Sequence, residues 1–254
     1  MASTPPKIDK AIDKAIGKTP DQPALVQTIL SGTSLSSCAF LAIDLQTLFC
    51  CPDTGQGTQD TVEVTEKILS ITPEFNRLGL KTFWVYYQMG EKSLAESCGG
   101  PFKHTIKPAD AMNIITSKAD DNGFYNREDD LAEKAEQHRL TTLVMGGVSL
   151  NACVQRTAIG AAYRGYNVVI LSDLCANNIR FKHQTLDQFK YAAKGLSTDN
   201  REYRRRYAPA PHLDKKSRPR IGKIAFTESG AFMEHLAAHD AHASAKKHRK
   251  AAPR

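Results

Sequence analysis

The stretch Leu140–Gly165, LTTLVMGGVSLNACVQRTAIGAAYRG, constrains the chain most. Its apolar run Leu143-Val144-Met145 reads as a buried strand. Gly146-Gly147 is expected to break that strand and turn the backbone sharply. Cys153 then opens a small-residue helix in which Ala158, Ala161 and Ala162 recur at helical spacing. Asn151 is placed to cap the helix and Gly165 to stop it. A thiol at a helix N-terminus sits near unpaired backbone N–H groups, and the helix dipole there favours thiolate, so its pKa is expected to fall. The same N–H groups can hold an oxyanion. The alternative is a small buried hydrophobe, the commoner fate of a lone cysteine. Position alone leaves both readings open.

The rest of the chain alternates strands with helices. Cys38 to Ile43 is the first buried strand, ending at Asp44. A helix lies within 60–79, where Pro73 should kink or restart it. Lys81 to Tyr86 is the second strand, and Met112 to Thr116 the third, ending just before Lys118. A helix over 127–139, capped by Asn126, leads to the strand at 141–145. Asn167 to Leu171 is the fifth strand, ending at Asp173; a helix around 181–196, a strand from Ile221 to Phe226 and a helix from Ser229 to Ala238 complete the pattern. Such alternation predicts an α/β fold: a single three-layer domain, with a parallel sheet covered by helices on both faces. Ligands of these sheets bind outside the carboxyl ends of the strands. Asp44, Lys118 and Cys153 all fall there. Singly, Asp44 can cap a turn and Lys118 can be a solvated lysine. Together, an acid, an amine and a thiol at three strand ends form a candidate site.

Composition narrows the function classes. The chain has 254 residues, 41% of them hydrophobic, and no apolar run long enough to span a membrane. Its N-terminus has no apolar signal segment, so a cytoplasmic protein is expected. The six cysteines, including adjacent Cys50-Cys51, are too sparse for a disulfide scaffold and match no zinc spacing. The net charge of +7 is concentrated in two segments: residues 199–220 carry +5 and 240–254 carry +4, which leaves the remainder slightly acidic. We therefore expect an N-terminal arm over 1–36, a domain over 37–238 with a basic insertion at 197–220, and a basic disordered tail over 239–254. Arg204-Arg205-Arg206 and the tail read as solvated charge. No stacking or groove-reading motif accompanies them, so nucleic acid is not an expected partner.

Three segments carry a resemblance. They are Phe40 to Gln46 (FLAIDLQ), Lys118 through Gly123-Phe124, and Gly146 to Val154 (GGVSLNACV). In order and spacing they resemble the signature segments of the isochorismatase-like cysteine hydrolases. The resemblance covers about residues 36–238. It implies a six-stranded parallel sheet and an Asp–Lys–Cys triad falling on Asp44, Lys118 and Cys153. It also implies a cis peptide at Val148–Ser149, with backbone N–H groups of Ser149 and Cys153 aimed at the substrate carbonyl oxygen. Gln46 and Phe124, beside the triad positions, are candidates to line the pocket, Phe124 equally a candidate for core packing. Nicotinamide-hydrolysing members carry a histidine-rich metal site after the second strand; here that place reads Tyr86-Tyr87-Gln88-Met89-Gly90-Glu91, and the nearest downstream histidine is His104. No metal and no cofactor are therefore expected. The implied activity is hydrolysis of a C–N bond in a small amide or ureide through a cysteine thioester, by a homo-oligomer. The rivals are isochorismate (vinyl ether) hydrolysis and a catalytically silent binding protein.

Overall fold

The computed structural model describes residues 21–31, 33–88, 111–124, 130–194, 196 and 220–238. Residues 1–20, the excursion 89–110 with His104, Asn126, most of the basic insertion (197–219) and the tail 239–254 lie outside them.

Six strands form one sheet: β1 (Cys38–Ile43), β2 (Lys81–Tyr87), β3 (Asn113–Lys118), β4 (Thr142–Val148), β5 (Asn167–Ala176) and β6 (Ile224–Thr227). All pairs are parallel, in the order β3-β2-β1-β4-β5-β6. The helices are α1 (Gln22–Ser31), α2 (Thr47–Cys50), α3 (Gln59–Arg77), α4 (Asp130–Gln137), α5 (Gln155–Tyr163), α6 (Leu186–Lys194) and α7 over 229–238.

Side chains alternate across a strand, so each buried strand feeds two cores. On β1, Leu41 and Ile43 join Phe83, Val85, Met145 and Ile170 beneath Leu131 of α4, Ile159 of α5 and Phe189 of α6. Phe40 and Ala42 join Trp84, Val144 and Val169 beneath Val26 of α1, Ile68 of α3 and Phe232 of α7. The result is the expected three-layer α/β fold with six parallel strands. Strand order reverses between β1 and β4, the point where doubly wound sheets open a crevice.

Several local expectations change. Gly146-Gly147 does not break β4, which runs on to Val148. A Cβ at Gly147 (φ +133°) would lie 2.1 Å from the Ile43 carbonyl oxygen, and one at Gly146 2.8 Å from that of Leu174. The glycines therefore let β4 approach its neighbours closely rather than leave the sheet. The Leu174 contact belongs to a bulge: Met145 pairs with Ile170 but Gly147 with Cys175, so β5 continues past Asp173. Helix α3 passes through Pro73 without ending, held on the sheet by buried Thr72 and Phe75 on either side. Within the segment read as a surface arm, α1 buries Val26 and Ile29.

Candidate active site

Asp44 follows the last residue of β1 and turns the chain with a left-handed backbone (φ 53°), a conformation aspartate tolerates better than most residues. Its N–H donates to the Val85 carbonyl (2.8 Å), which continues the β1–β2 ladder by one rung. Lys118 ends β3, two strands away. The register Tyr87↔Lys118 brings its chain level with the end of β2. From there its Nζ reaches across Tyr87, 4.6 Å from the ring centroid, to Asp44 Oδ2 at 2.9 Å. It also donates to the Asp120 carbonyl at 3.0 Å. Both side chains are essentially excluded from water, at 0% and 1% exposure. The ion pair is close, and the Cys153 thiol also faces the Asp44 carboxylate.

Cys153 arrives from β4. The Val148–Ser149 peptide bond is cis, and Leu150–Val154 then form a single π-type turn before α5 begins at Gln155. The Ser149 carbonyl accepts from the amides of Ala152 and Val154, both at 3.1 Å, and passes over that of Cys153. Asn151 is not the cap the sequence suggests. It instead ties this turn to the loop after β5: its N–H donates to Asn177 Oδ1 (3.0 Å), its Oδ1 accepts from Asn177 Nδ2 (2.9 Å), and its Nδ2 donates to the Thr185 carbonyl. Ser149 Oγ accepts from the Asn178 N–H in the same loop. The loop after β3 is fixed just as closely on α5. The Gly123 N–H donates to Thr157 Oγ1 (2.9 Å), and Asn122 packs so tightly on Gly160 that a Cβ there would meet its Oδ1 at 2.5 Å. The ends of β1, β3 and β4 are thereby locked together.

The thiol sits at their meeting point. Cys153 is 8% exposed, and its Sγ lies 3.6 Å from Asp121 Oδ1. Asp44 and Lys118 also act on it directly. Burial, and then the negative charge of Asp44, push the thiol well above its ordinary pKa; Lys118 opposes them. This reverses the expected fall, because the α-helix begins only after the cysteine and water is excluded from the sulfur. Burial likewise raises the pKa of Asp44 against the pull of Lys118. Burial works against the charge of Lys118, but Asp44 and the thiol overcome it and hold the ammonium charged.

A cavity of about 310 Å³ opens over these groups, and Asp44, Tyr87, Ser149 and Cys153 line it with Asp121, Arg156 and Arg180. Asp121 forms an ion pair with Arg156, both partly exposed. The structure thus brings Asp44, Lys118, Cys153, Val148 and Ser149 together. It places the other two candidates elsewhere. Gln46 is buried, and its amide is consumed by the backbone of Tyr87, accepting from N–H at 2.6 Å and donating to C=O at 3.1 Å. Phe124 stacks on Tyr166 in the core, ring centroids 5.6 Å apart. Neither lines the cavity. Sequence reasoning missed Asp121, Arg156 and Tyr87. Asp121 stands inside the segment running from Lys118 to Phe124, and Arg156 one helical turn beyond Cys153, but nothing in sequence joins two residues 35 positions apart.

The isochorismatase domain model matches residues 38–194, which include every residue of the site. The chain belongs to the isochorismatase family. It is an isochorismatase-family hydrolase. Among solved structures it is similar to a cysteine hydrolase from Pseudomonas syringae pv. phaseolicola 1448A, with 14% identity over 81% of this chain and 95% of that one and a TM-score of 0.57. It is also similar to an isochorismatase family protein from Burkholderia thailandensis (18% identity, 80% and 96% covered, TM-score 0.52) and to a nicotinamidase from Bacillus subtilis (19%, 61% and 96%, 0.51). At such identities the likeness is one of fold. No curated protein matches the sequence. Among the described residues, no group of three or more His, Cys, Asp or Glu is arranged to hold a metal ion, and no helix is long and apolar enough to cross a membrane.

Proposed function

We propose that this isochorismatase-family hydrolase cleaves a C–N bond of a small amide or ureide, with Cys153 as nucleophile. The observation that carries the reading is the thiol of Cys153 opening on the cavity beside a buried carboxylate that Lys118 holds at 2.9 Å. A thiol with a raised pKa needs a base, and Asp44, whose own pKa is raised, is suited to take and return a proton. Lys118 keeps the site able to carry one negative charge, on either the carboxylate or the sulfur, so the pair titrates as a unit. The thiolate attacks the substrate carbonyl carbon. The amide of Cys153, which the Ser149 carbonyl passes over, and that of Ser149 hold the oxyanion. Asp44 gives the proton to the departing amine, and a thioester remains. Water, deprotonated by Asp44, then releases the acid and restores the thiol.

The test is a panel of small amides, ureides and isochorismate, turned over by wild type and by Cys153→Ser. Loss of about a thousand-fold in kcat on the C–N substrates, with a wild-type thioester trapped by hydroxylamine, is expected. Undiminished turnover by Cys153→Ser would remove the thiol from the mechanism, and full retention on isochorismate alone would establish vinyl ether hydrolysis in its place.

A further inference from the structure

Cys153 faces a second carboxylate besides Asp44. Asp121 lies on the loop after β3, with Oδ1 3.6 Å from the sulfur and its other oxygen paired to Arg156. Arg156 projects from the first turn of α5, so the helix that follows the cysteine also anchors this aspartate. Asp121 lines the cavity, and so does Asp44. A substrate carbon bonding distance from Sγ therefore has acceptor groups from two different strand ends near its substituents. A carboxylate oxygen accepts two hydrogen bonds, so Asp121 Oδ1 retains capacity beyond its weak contact with the thiol. Asp44 Oδ2, held by Lys118 at 2.9 Å, likewise retains a lone pair. A simple amide offers N–H donors on one side of its carbonyl carbon only. A ureide offers them on both.

We infer that Asp121 is a specificity residue that accepts the N–H of a second nitrogen on the scissile carbon, so that this site takes ureides in preference to simple amides. The inference rests on the thiol-dependent reading above and names the substrate class within it. For a ureide R–NH–CO–NH2, the Sγ–C bond forms and the C–NH2 bond breaks. Asp44 carries the thiol proton to the leaving nitrogen, and ammonia departs. Asp121 meanwhile holds the retained R–N–H. The carbamoyl thioester then takes up water, releasing R–NH–COOH and restoring the thiol. Arg156, paired to the other oxygen, orients Asp121 as an acceptor.

The test uses propylurea and pentanamide, which differ by NH against CH2 beside the carbonyl. Binding is measured by calorimetry in Cys153→Ser, so the result does not depend on turnover. Propylurea should bind about ten-fold more tightly, the scale of one charge-assisted hydrogen bond. In Cys153→Ser/Asp121→Ala the preference should vanish, whereas Cys153→Ser/Asp121→Asn, which keeps an acceptor oxygen, should retain part of it. Equal binding of the two compounds, binding of neither at millimolar concentration, or a preference that survives Asp121→Ala would each overturn the inference. Wild-type turnover is read separately. A ureide preference in binding without hydrolysis of either compound would refute the hydrolytic reading while leaving the recognition by Asp121 standing.

Discussion

At the scale of single residues, Asp44, Lys118 and Cys153 share one buried space and cannot titrate independently. Burial and Asp44 raise the thiol pKa, and Lys118 lowers it. The alkylation of Cys153 by iodoacetamide, followed by mass spectrometry across pH, should therefore keep rising beyond the pH at which an ordinary free thiol reaches its plateau. Removing a neighbouring negative charge makes thiolate easier to form, so Asp44→Asn and Asp121→Asn should both move the profile to lower pH. Removing the positive charge does the opposite, and Lys118→Met should move it to higher pH. Movement of all three in one direction would mean that packing, not charge, controls the sulfur. The same pair makes a stability prediction. Asp44→Asn and Lys118→Met each leave an uncompensated buried partner, costing about 3–5 kcal/mol. Urea denaturation of the double variant should show a loss smaller than the sum of the two, because it removes the charge and the countercharge together.

At the scale of elements, the site depends on how closely β4 approaches β1. Gly147→Ala places a Cβ against the Ile43 carbonyl at a left-handed φ and should cost about 3–5 kcal/mol. Gly79 also has a left-handed φ (+87°), but nothing lies within 4 Å of its Cβ position, so Gly79→Ala should cost only about 1–2 kcal/mol. Equal losses in chemical denaturation would show that φ alone, and not the crowded approach to β1, dictates the glycine. These contrasts also mark what could be read from sequence. The strands were legible because a central parallel strand buries both faces and so appears as a continuous apolar run, as Cys38 to Ile43 does. Asp44 was legible because it ends such a run; Lys118 and Cys153, at the close of the mixed strand β3 and five residues beyond β4, were legible from the signature segments they stand in. The β5 bulge was not, since Ser172 and Asp173 break the apolar run while the strand continues past them. Nor was the π-type turn at Leu150–Val154, which delays the α-helix past Cys153 and undoes the expected dipole effect. Gln46 takes its place for a reason of the same kind: a polar residue beside a candidate site position can as well complete a ladder, here with Tyr87, as face a ligand.

At the scale of the whole molecule, segments remote from the cavity contribute to stability as well. Helix α1 lies on β6: Val26 and Ile29 are buried, and Gln22 Oε1 accepts from the Phe226 N–H at 3.0 Å. None of its residues lines the cavity. Burying an aliphatic side chain of that size contributes about 1.5–3 kcal/mol. A chain lacking residues 1–31 should therefore lose about 3–6 kcal/mol of stability. Its kcat/KM, measured well below its unfolding midpoint, should stay within a few-fold of the full chain's. The tail presents the opposite case. Residues 240–254 hold a net charge of +4 and no part of the three signature segments. Their removal should change neither the urea midpoint nor turnover on the substrate the panel identifies. A substrate that is itself anionic would be attracted over distances beyond contact by so concentrated a charge, and the attraction would be screened by salt. The comparison is therefore made at low and at physiological ionic strength. Loss of activity confined to low salt would assign the tail to steering, and a loss at both as deep as that of Cys153→Ser would place it in the site itself.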